Sequence, residues 1–330
     1  MNQTDARDAY AGKRVLITGG LGFMGLNLAR ALHEAGAQLR VFSHPRPAEI
    51  GAIARMLGNA TFFTGDIRDT RLLEDAVAGC ELVFHLAGKS GPARSNSLPL
   101  EDLDVNGRGT LTLLEVCRRV EPRPKIVFPS SRLVYSSHSP IPVSETARTE
   151  PMSVYGINKL IAERYLMLYE QLYGVRSTIL RITNPYGPFQ RPEQNDYGVV
   201  NWFIHQAMKG QVLPIYGDGR QLRDYVHVDD VVRAMLLAGY MQAADGKVLN
   251  VGSGRGVSFV DMAELVIRVA GRGSLKHVAW PADAARVETG DFVADVSLIH
   301  ASLGWKATVP LETGVDDMIA RYSKLAPAWL

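Results

Sequence analysis

Residues 15–25 read Val15-Leu16-Ile17-Thr18-Gly19-Gly20-Leu21-Gly22-Phe23-Met24-Gly25. A short apolar, β-branched run of this kind suits a strand buried on both faces. Residues 23–35 then place Leu28 and Leu32 on one helical face, and Gly36 ends the helix. Between the two lies a GxxGxxG spacing at 19, 22 and 25. Gly19 permits the tight turn, Gly22 lets backbone approach a pyrophosphate, and Gly25 lets the helix pack closely on the sheet. The helix N-terminus favours the anion. Three glycines alone also fit a plain β–α turn; the strand–helix context favours dinucleotide binding. No GK[ST] follows, which excludes a nucleoside triphosphatase loop.

Outward from this unit the pattern repeats. Leu39–Phe42, Thr61–Phe63, Leu82–Leu86, Ile126–Pro129 and Ser177–Arg181 read as strands, and 70–79, 103–119 and 153–173 as helices. Strands alternating with helices predict an α/β fold, a Rossmann-type doubly wound parallel sheet. After Thr183 the rhythm breaks at Asn184-Pro185-Tyr186-Gly187-Pro188, which is loop chemistry. The expected division is a dinucleotide-binding domain over 12–184 and a smaller C-terminal substrate-binding α/β region over 185–330. A helix at 228–239 and a strand at 247–251 are expected to return to the main sheet.

Composition narrows the class of partner. With 36 basic and 34 acidic residues among 330, the net charge of +2 gives no case for nucleic acid or membrane binding. No apolar run reaches the ~18 residues that span a bilayer, and residues 1–12 carry no signal-peptide core. Cys80 and Cys117 stand in no CxxC or metal-ligand spacing, so neither disulfides nor a metal is expected, and a cytoplasmic setting fits. The eight histidines form no HExxH or HxH pair.

The dinucleotide pattern expects an acid about 20 residues after the glycines, on the adenosine ribose. Here that stretch reads Val41-Phe42-Ser43-His44-Pro45-Arg46, without a carboxylate. Ser43 can bond a ribose hydroxyl, and His44 or Arg46 can attract a 2′-phosphate, so NAD and NADP both remain open; Arg46 is equally read as a solvated loop residue. Asp66-Ile67 follows the third strand, where the carboxylate can accept from the adenine amino group, or serve only a turn. Tyr155-Gly156-Ile157-Asn158-Lys159 opens a helix, and the i, i+4 spacing puts phenol and ammonium on one face. A nearby ammonium and an oxidised nicotinamide both favour phenolate and make Tyr155 a candidate general base; alone, YxxxK also occurs on solvated helix surfaces. Ser131 follows strand 126–129 at the C-terminal sheet edge, where open α/β sheets bind ligands, although a serine there can be a simple cap.

Taken together, Thr18–Gly25, Gly65-Asp66-Ile67-Arg68-Asp69, His85-Leu86-Ala87-Gly88, Ser130-Ser131-Arg132-Leu133-Val134-Tyr135 and Tyr155–Lys159 resemble the extended short-chain dehydrogenase/reductase family. Arg181–Pro188, Gly217-Asp218-Gly219, Arg223–Asp230 and Leu303-Gly304-Trp305 resemble its nucleotide-sugar epimerase/dehydratase branch, so that the likeness runs from about Lys13 to Tyr322. The resemblance implies a Ser131–Tyr155–Lys159 catalytic triad. It implies cofactor contacts from Gly19, Gly22, Phe23, Met24, Gly25, Leu86, Ala87, Gly88, Lys89 (near the phosphates) and Asn106. It also implies a nucleotide-sugar substrate held at the diphosphate by Asn184 and Arg223. Tyr216 would stack on the base, though a core role fits it equally, and Arg286 or Asp291 would reach the ribose or phosphates. A homodimer through helices 103–119 and 153–173 is expected by the same resemblance.

One departure bears on the reaction. The branch's dehydratases carry an acidic pair, or one glutamate, directly after the triad hydroxyl residue, whereas this chain has Arg132-Leu133. That argues against water elimination and against decarboxylation. Three readings follow: a 4-epimerase working through a transient 4-keto sugar, an NADPH-dependent 4-ketoreductase, or a non-catalytic dinucleotide sensor, against which the complete triad counts.

Overall fold

The computed structural model describes residues 8–44, 53–137, 139–190 and 198–324. Strands β1 (Arg14–Thr18), β2 (Gln38–Ser43), β3 (Thr61–Thr64), β4 (Leu82–His85), β5 (Lys125–Ser131), β6 (Ser177–Ile182) and β10 (Val248–Val251) form one sheet, in the order β10-β6-β5-β4-β1-β2-β3. Every pairing in it is parallel. β4, β5 and β6 are buried along their whole length, which is why their centres, Leu82–Phe84, Ile126–Phe128 and Ile179–Leu180, are apolar without alternation.

The two faces of the sheet carry separate cores. Within β1 the period of two is visible: Val15 and Ile17 enter one core and Leu16 the other. The first core packs helix α1 (Phe23–Glu34), through Leu28 and Leu32, with Met235 and Leu236. The opposite core holds Leu73 of α2 (Thr70–Val77), Leu113 and Val116 of α3 (Gly109–Cys117) and Leu166 of α4 (Val154–Tyr173). The helix expected over 103–119 starts earlier and is not uniform. A turn at Pro99–Asp102 runs into a π-helical segment, Leu103–Arg108, before α3 begins. Such widened turns shift a helix's side-chain register and are frequent at functional sites.

The C-terminal region builds around a third core of Tyr186, Phe203, Ile215, Met262, Val266 and Met318. Its small sheets join β7 (Asn184–Tyr186), β9 (Leu222–His227) and β11 (Gly256–Ser258) in one, and β8 (Val212–Tyr216) with β12 (Ser274–Val278) in the other. Helices α5 (Val199–Met208), α7 (Phe259–Ala270) and α8 (Leu311–Lys324) cover them, while α6 (Val228–Tyr240) lies between the two regions on the first core. Asp230 of α6 gathers the chain after Leu303-Gly304-Trp305: its carboxylate accepts from Thr308 and Val309, and its carbonyl from the buried Trp305 indole. No helix among the described residues is long and apolar enough to cross a membrane.

Candidate active site

The glycine loop has the shape its sequence demands. Gly19 has φ +70°, and a Cβ there would stand 2.7 Å from the Leu86 and Ala87 backbone. A Cβ on Gly25 would stand 2.4 Å from the Gly19 carbonyl oxygen. Gly22 caps α1 without a side-chain bond, and the first turn carries no acid. The positive end of the helix thus faces the loop with no carboxylate of its own turn against it, which suits a pyrophosphate. Phe23 and Met24 begin that helix half-buried.

The neighbouring strand ends are fixed by a chain of polar bonds. Thr18 Oγ1 contacts His85 Nδ1 at 2.8 Å, His85 Nε2 contacts Thr110 Oγ1 at 3.0 Å, and Thr110 donates to the Asn106 carbonyl at 2.6 Å. Burial holds His85 neutral, with its pKa down at about 3, so the chain is satisfied without a charge. Asn106 lies in the π segment and clamps Lys89 from both sides, accepting from its N–H and donating to its carbonyl. Buried Asp102 accepts from Asn106 at 2.9 Å and from Asn158 at 2.7 Å, tying the clamp to α4. This Asp102–Asn158 tie was missed in the sequence; the only available signal was Asn158 lying inside the quoted Tyr155–Lys159 motif.

Ser43 ends β2 and Asp66-Ile67 follow β3, so both stand at the C-terminal sheet edge with Leu86, Ala87 and Gly88. Ile67 is buried against Gly109, a packing position. Asp66 is engaged by Arg68, whose guanidinium holds its carboxyl down at about 2. Lys89 has a partner that the sequence does not suggest. Its ammonium is paired with Glu101 at 2.9 Å. Arg46 lies outside the described residues.

The structure brings Ser131, Tyr155 and Lys159 together. β5 runs to Ser131, and Ser153 caps α4 so that Tyr155 and Lys159 sit in its first turns. The Ser131 hydroxyl stands near enough to the Tyr155 phenol to favour its ionised form, and it accepts from the Leu133 N–H at 3.2 Å. The Lys159 ammonium is buried, 5.8 Å from the Tyr155 ring centre, and donates to the Pro129 carbonyl at 2.9 Å. The chain alone shows no lowering of the phenol by the ammonium, the half of the expectation that does not depend on the nicotinamide. Burial pushes Tyr155 up to about 12, with only the Ser131 hydroxyl opposing it, while burial lowers Lys159 to about 8. Beneath the triad, Ser130 donates to Glu163 at 2.5 Å, and Arg181 closes on the same carboxylate at 2.7 Å.

Beyond Ser131 the proposed substrate residues separate into groups. Asn184 lies in β7 beside Tyr225 of β9, and its Oδ1 is buried without a partner. Arg223 is buried and committed: it donates to the Leu222 and Gly290 carbonyls and to Glu288 at 2.5 Å. Tyr216 stands against Trp280, ring centres 5.3 Å apart, a partner the sequence reading missed. Arg286 is 77% exposed and paired with Asp283, outside the cluster. Asp291 accepts from the Leu222 N–H at 2.7 Å, a bond within the framework. Arg132 turns toward this region, bonding Thr289 at 2.9 Å and lying over the Phe292 ring.

A glycine-loop dinucleotide cradle beside a Ser–Tyr–Lys triad on one sheet edge defines a nicotinamide-dependent enzyme class of the short-chain dehydrogenase type. Comparison with known proteins is more specific. Residues 15–252 match the model of the NAD dependent epimerase/dehydratase family, and the chain belongs to that family. A protein of Methanocaldococcus jannaschii named for UDP-glucose 4-epimerase activity is 32% identical over 92% of this chain and 97% of its own. The UDP-glucuronic acid decarboxylase 1 of Xenopus tropicalis is 29% identical over 94% of this chain and 72% of its own. The crystal structure of UDP-glucose 4-epimerase from Thermotoga maritima, with UDP-glucose, superposes with a TM-score of 0.85 at 33% identity. It spans 94% of this chain and 99% of that one. The cofactor is accordingly NAD, and the cradle that a Cβ at Gly19 or Gly25 would fill fits it.

Proposed function

We propose that the chain is a nucleotide-sugar 4-epimerase, with a UDP-hexose as the favoured substrate, working through a transient 4-keto sugar. The observation that carries this is the assembled triad with Arg132-Leu133 following it. The site has a base for a sugar hydroxyl but no carboxylate at the position from which a dehydratase or decarboxylase would work.

In this reading Tyr155 takes the proton from the C4 hydroxyl as C4 is oxidised to a ketone, and later returns it to the same oxygen. Gly19, Gly22 and Gly25 would hold NAD, which would supply reversible hydride acceptance at C4 with return to either face of the ketone, so no net oxidation would remain. Ser131 donates to the reacting oxygen and holds it at the phenol. Lys159, anchored on the Pro129 carbonyl, keeps a cation on the same helix face. Asn106, through its clamp on Lys89, keeps the loop after β4 in position over the cradle. One group must serve first as base and then as acid, which a single phenol does when its pKa is drawn toward the working pH.

A second reading, an NADPH-dependent nucleotide-4-keto-sugar reductase, is favoured by one feature: β2 ends in Ser43 with no carboxylate on the adenosine ribose side. The test is a panel of UDP-, dTDP-, GDP- and CDP-sugars incubated with the enzyme, with and without added NAD, and resolved for C4 epimers. Epimer formation that Tyr155→Phe reduces by at least about a hundredfold supports the epimerase. Inert sugars, with NADPH oxidised only when 4-keto sugars are supplied, select the reductase. Turnover indifferent to Tyr155→Phe would defeat both.

A further inference from the structure

Arg132 and Arg223 lie near one another where β5 meets the C-terminal region, and they are not equivalent. Arg223 is 5% exposed and has its charge answered by Glu288, which also accepts from the Gly290 N–H. Its other terminal nitrogen serves two carbonyls. Asp224, the remaining acid nearby, is consumed by framework bonds from Ser253, Gly254 and Ala294. Arg132, by contrast, has no carboxylate within ion-pair distance among the described residues, and it donates to the neutral Thr289 hydroxyl at 2.9 Å. Burial and repulsion from Arg223 lower its pKa to about 9. A half-buried guanidinium kept beside a second guanidinium, with Glu288 and Asp224 acting on it only from beyond ion-pair contact, is costly unless an anion arrives.

Two orphaned polar atoms lie in the same place. The Tyr225 hydroxyl is on a side chain only 4% exposed, has no partner, and feels the fields of both arginines. Asn184 Oδ1, also without a partner, belongs to the residue registered opposite Tyr225. The Thr289 hydroxyl and the Phe292 ring hold the Arg132 guanidinium toward the C-terminal region, against the repulsion of Arg223.

We propose that Arg132, with the Tyr225 hydroxyl beside it, is the group that binds the substrate's diphosphate, and that Glu288 stands in for that anion on Arg223. The assignment rests on the nucleotide-sugar reading above and moves the diphosphate's main cation from the residue the sequence suggested to its neighbour. A guanidinium fork matches phosphate oxygens in geometry and charge. A second source of the same oxyanion chemistry is a carboxylate on the sugar ring, and the experiment separates the two.

UDP, dTDP, GDP and CDP are titrated into the full-length enzyme by calorimetry, and the diphosphate that the wild type binds is carried forward to the variants. Arg132→Gln is expected to weaken it by about tenfold or more, with Arg132→Lys recovering part of the loss. Glu288→Gln, which releases Arg223, is expected to tighten binding severalfold, and it tests the idea even if Arg132→Gln folds poorly. Binding that survives Arg132→Gln within about twofold, but is lost in Arg223→Gln, overturns the assignment and restores Arg223. So does an Arg132→Gln enzyme that binds the diphosphate normally and fails only on uronic-acid nucleotide sugars; the carboxylate is then the ligand. A wild type that binds none of the four sinks the nucleotide-sugar reading, and the assignment with it.

Discussion

Lys159 is a buried cation kept for chemistry, and replacing it should stabilise the cofactor-free fold while abolishing turnover. The side chain is 8% exposed, and desolvation draws its pKa from 10.5 to about 8 against the attraction of Asp102 and Glu163. That drop corresponds to about 3 kcal/mol by which folding disfavours the charged lysine. Below a pH of about 8, folded and unfolded chains both hold the proton and the whole penalty is present. Between there and 10.5 the unfolded chain alone stays protonated, so stability rises with pH; above 10.5 the penalty is gone. Lys159→Met keeps the volume and removes the charge. It also strips Asp102 of a nearby cation, which returns part of the gain, so a net stabilisation of about 1–3 kcal/mol is expected at neutral pH. Urea unfolding of both chains near pH 7 and near pH 9.5 measures it, since every other titrating group is shared. The gap should be large at the lower pH and shrink at the higher. A variant less stable than wild type at neutral pH, or a gap that ignores pH, would refute the reasoning.

Gly25→Ala places a methyl group 2.4 Å from the Gly19 carbonyl oxygen and 2.7 Å from Gly20 Cα. Both are backbone, so α1 must lift; a loss of about 1–3 kcal/mol, with loss of NAD-induced thermal stabilisation, is expected in melting curves with and without NAD. Leu168 and Leu172 lie exposed on one face of α4, with Leu100 and Leu103 exposed on the helical turns beside it. We propose that these faces pair two copies about a twofold axis. Light scattering should report a dimer that Leu168→Glu with Leu172→Glu converts to a monomer, and a monomeric wild type at micromolar concentration removes the idea.

The features legible in the sequence are those that local geometry forces. Gly19 and Gly25 were readable because no other residue fits against the Leu86–Ala87 backbone or the Gly19 carbonyl. Tyr155 and Lys159 were readable because four residues make one helical face, and Ser131 because a strand ends there. What escaped were pairings between segments that no period links. Asp102 joins Asn106 to Asn158, 56 positions away; Arg223 meets Glu288 across 65; and Lys89 gives its charge to Glu101. Each removes or fixes a polar group that a motif alone leaves open. The same blindness produced the π segment at Leu103–Arg108, whose widened turn a helical apolar pattern cannot distinguish from an ordinary one.

The resting electrostatics of the triad bear on the choice of reaction. Tyr155 is held neutral, its phenol near 12, and the lysine on its helix face bonds the Pro129 carbonyl instead of lowering it. The chain by itself therefore carries no ready base; the positive field that makes one must come with the bound ligands. An enzyme that only reduces a ketone needs that phenol as a proton donor, a role the resting state already meets. An epimerase must take a proton and return it in the same visit, so its phenol has to move between states as charge arrives and leaves. The described chain offers no other group at the triad to share that task. The two readings thus differ in what the bound cofactor does to the phenol: ultraviolet titration of the phenolate, with and without NAD, shows whether the ligand pulls Tyr155 down from about 12 into the range where one residue can do both jobs.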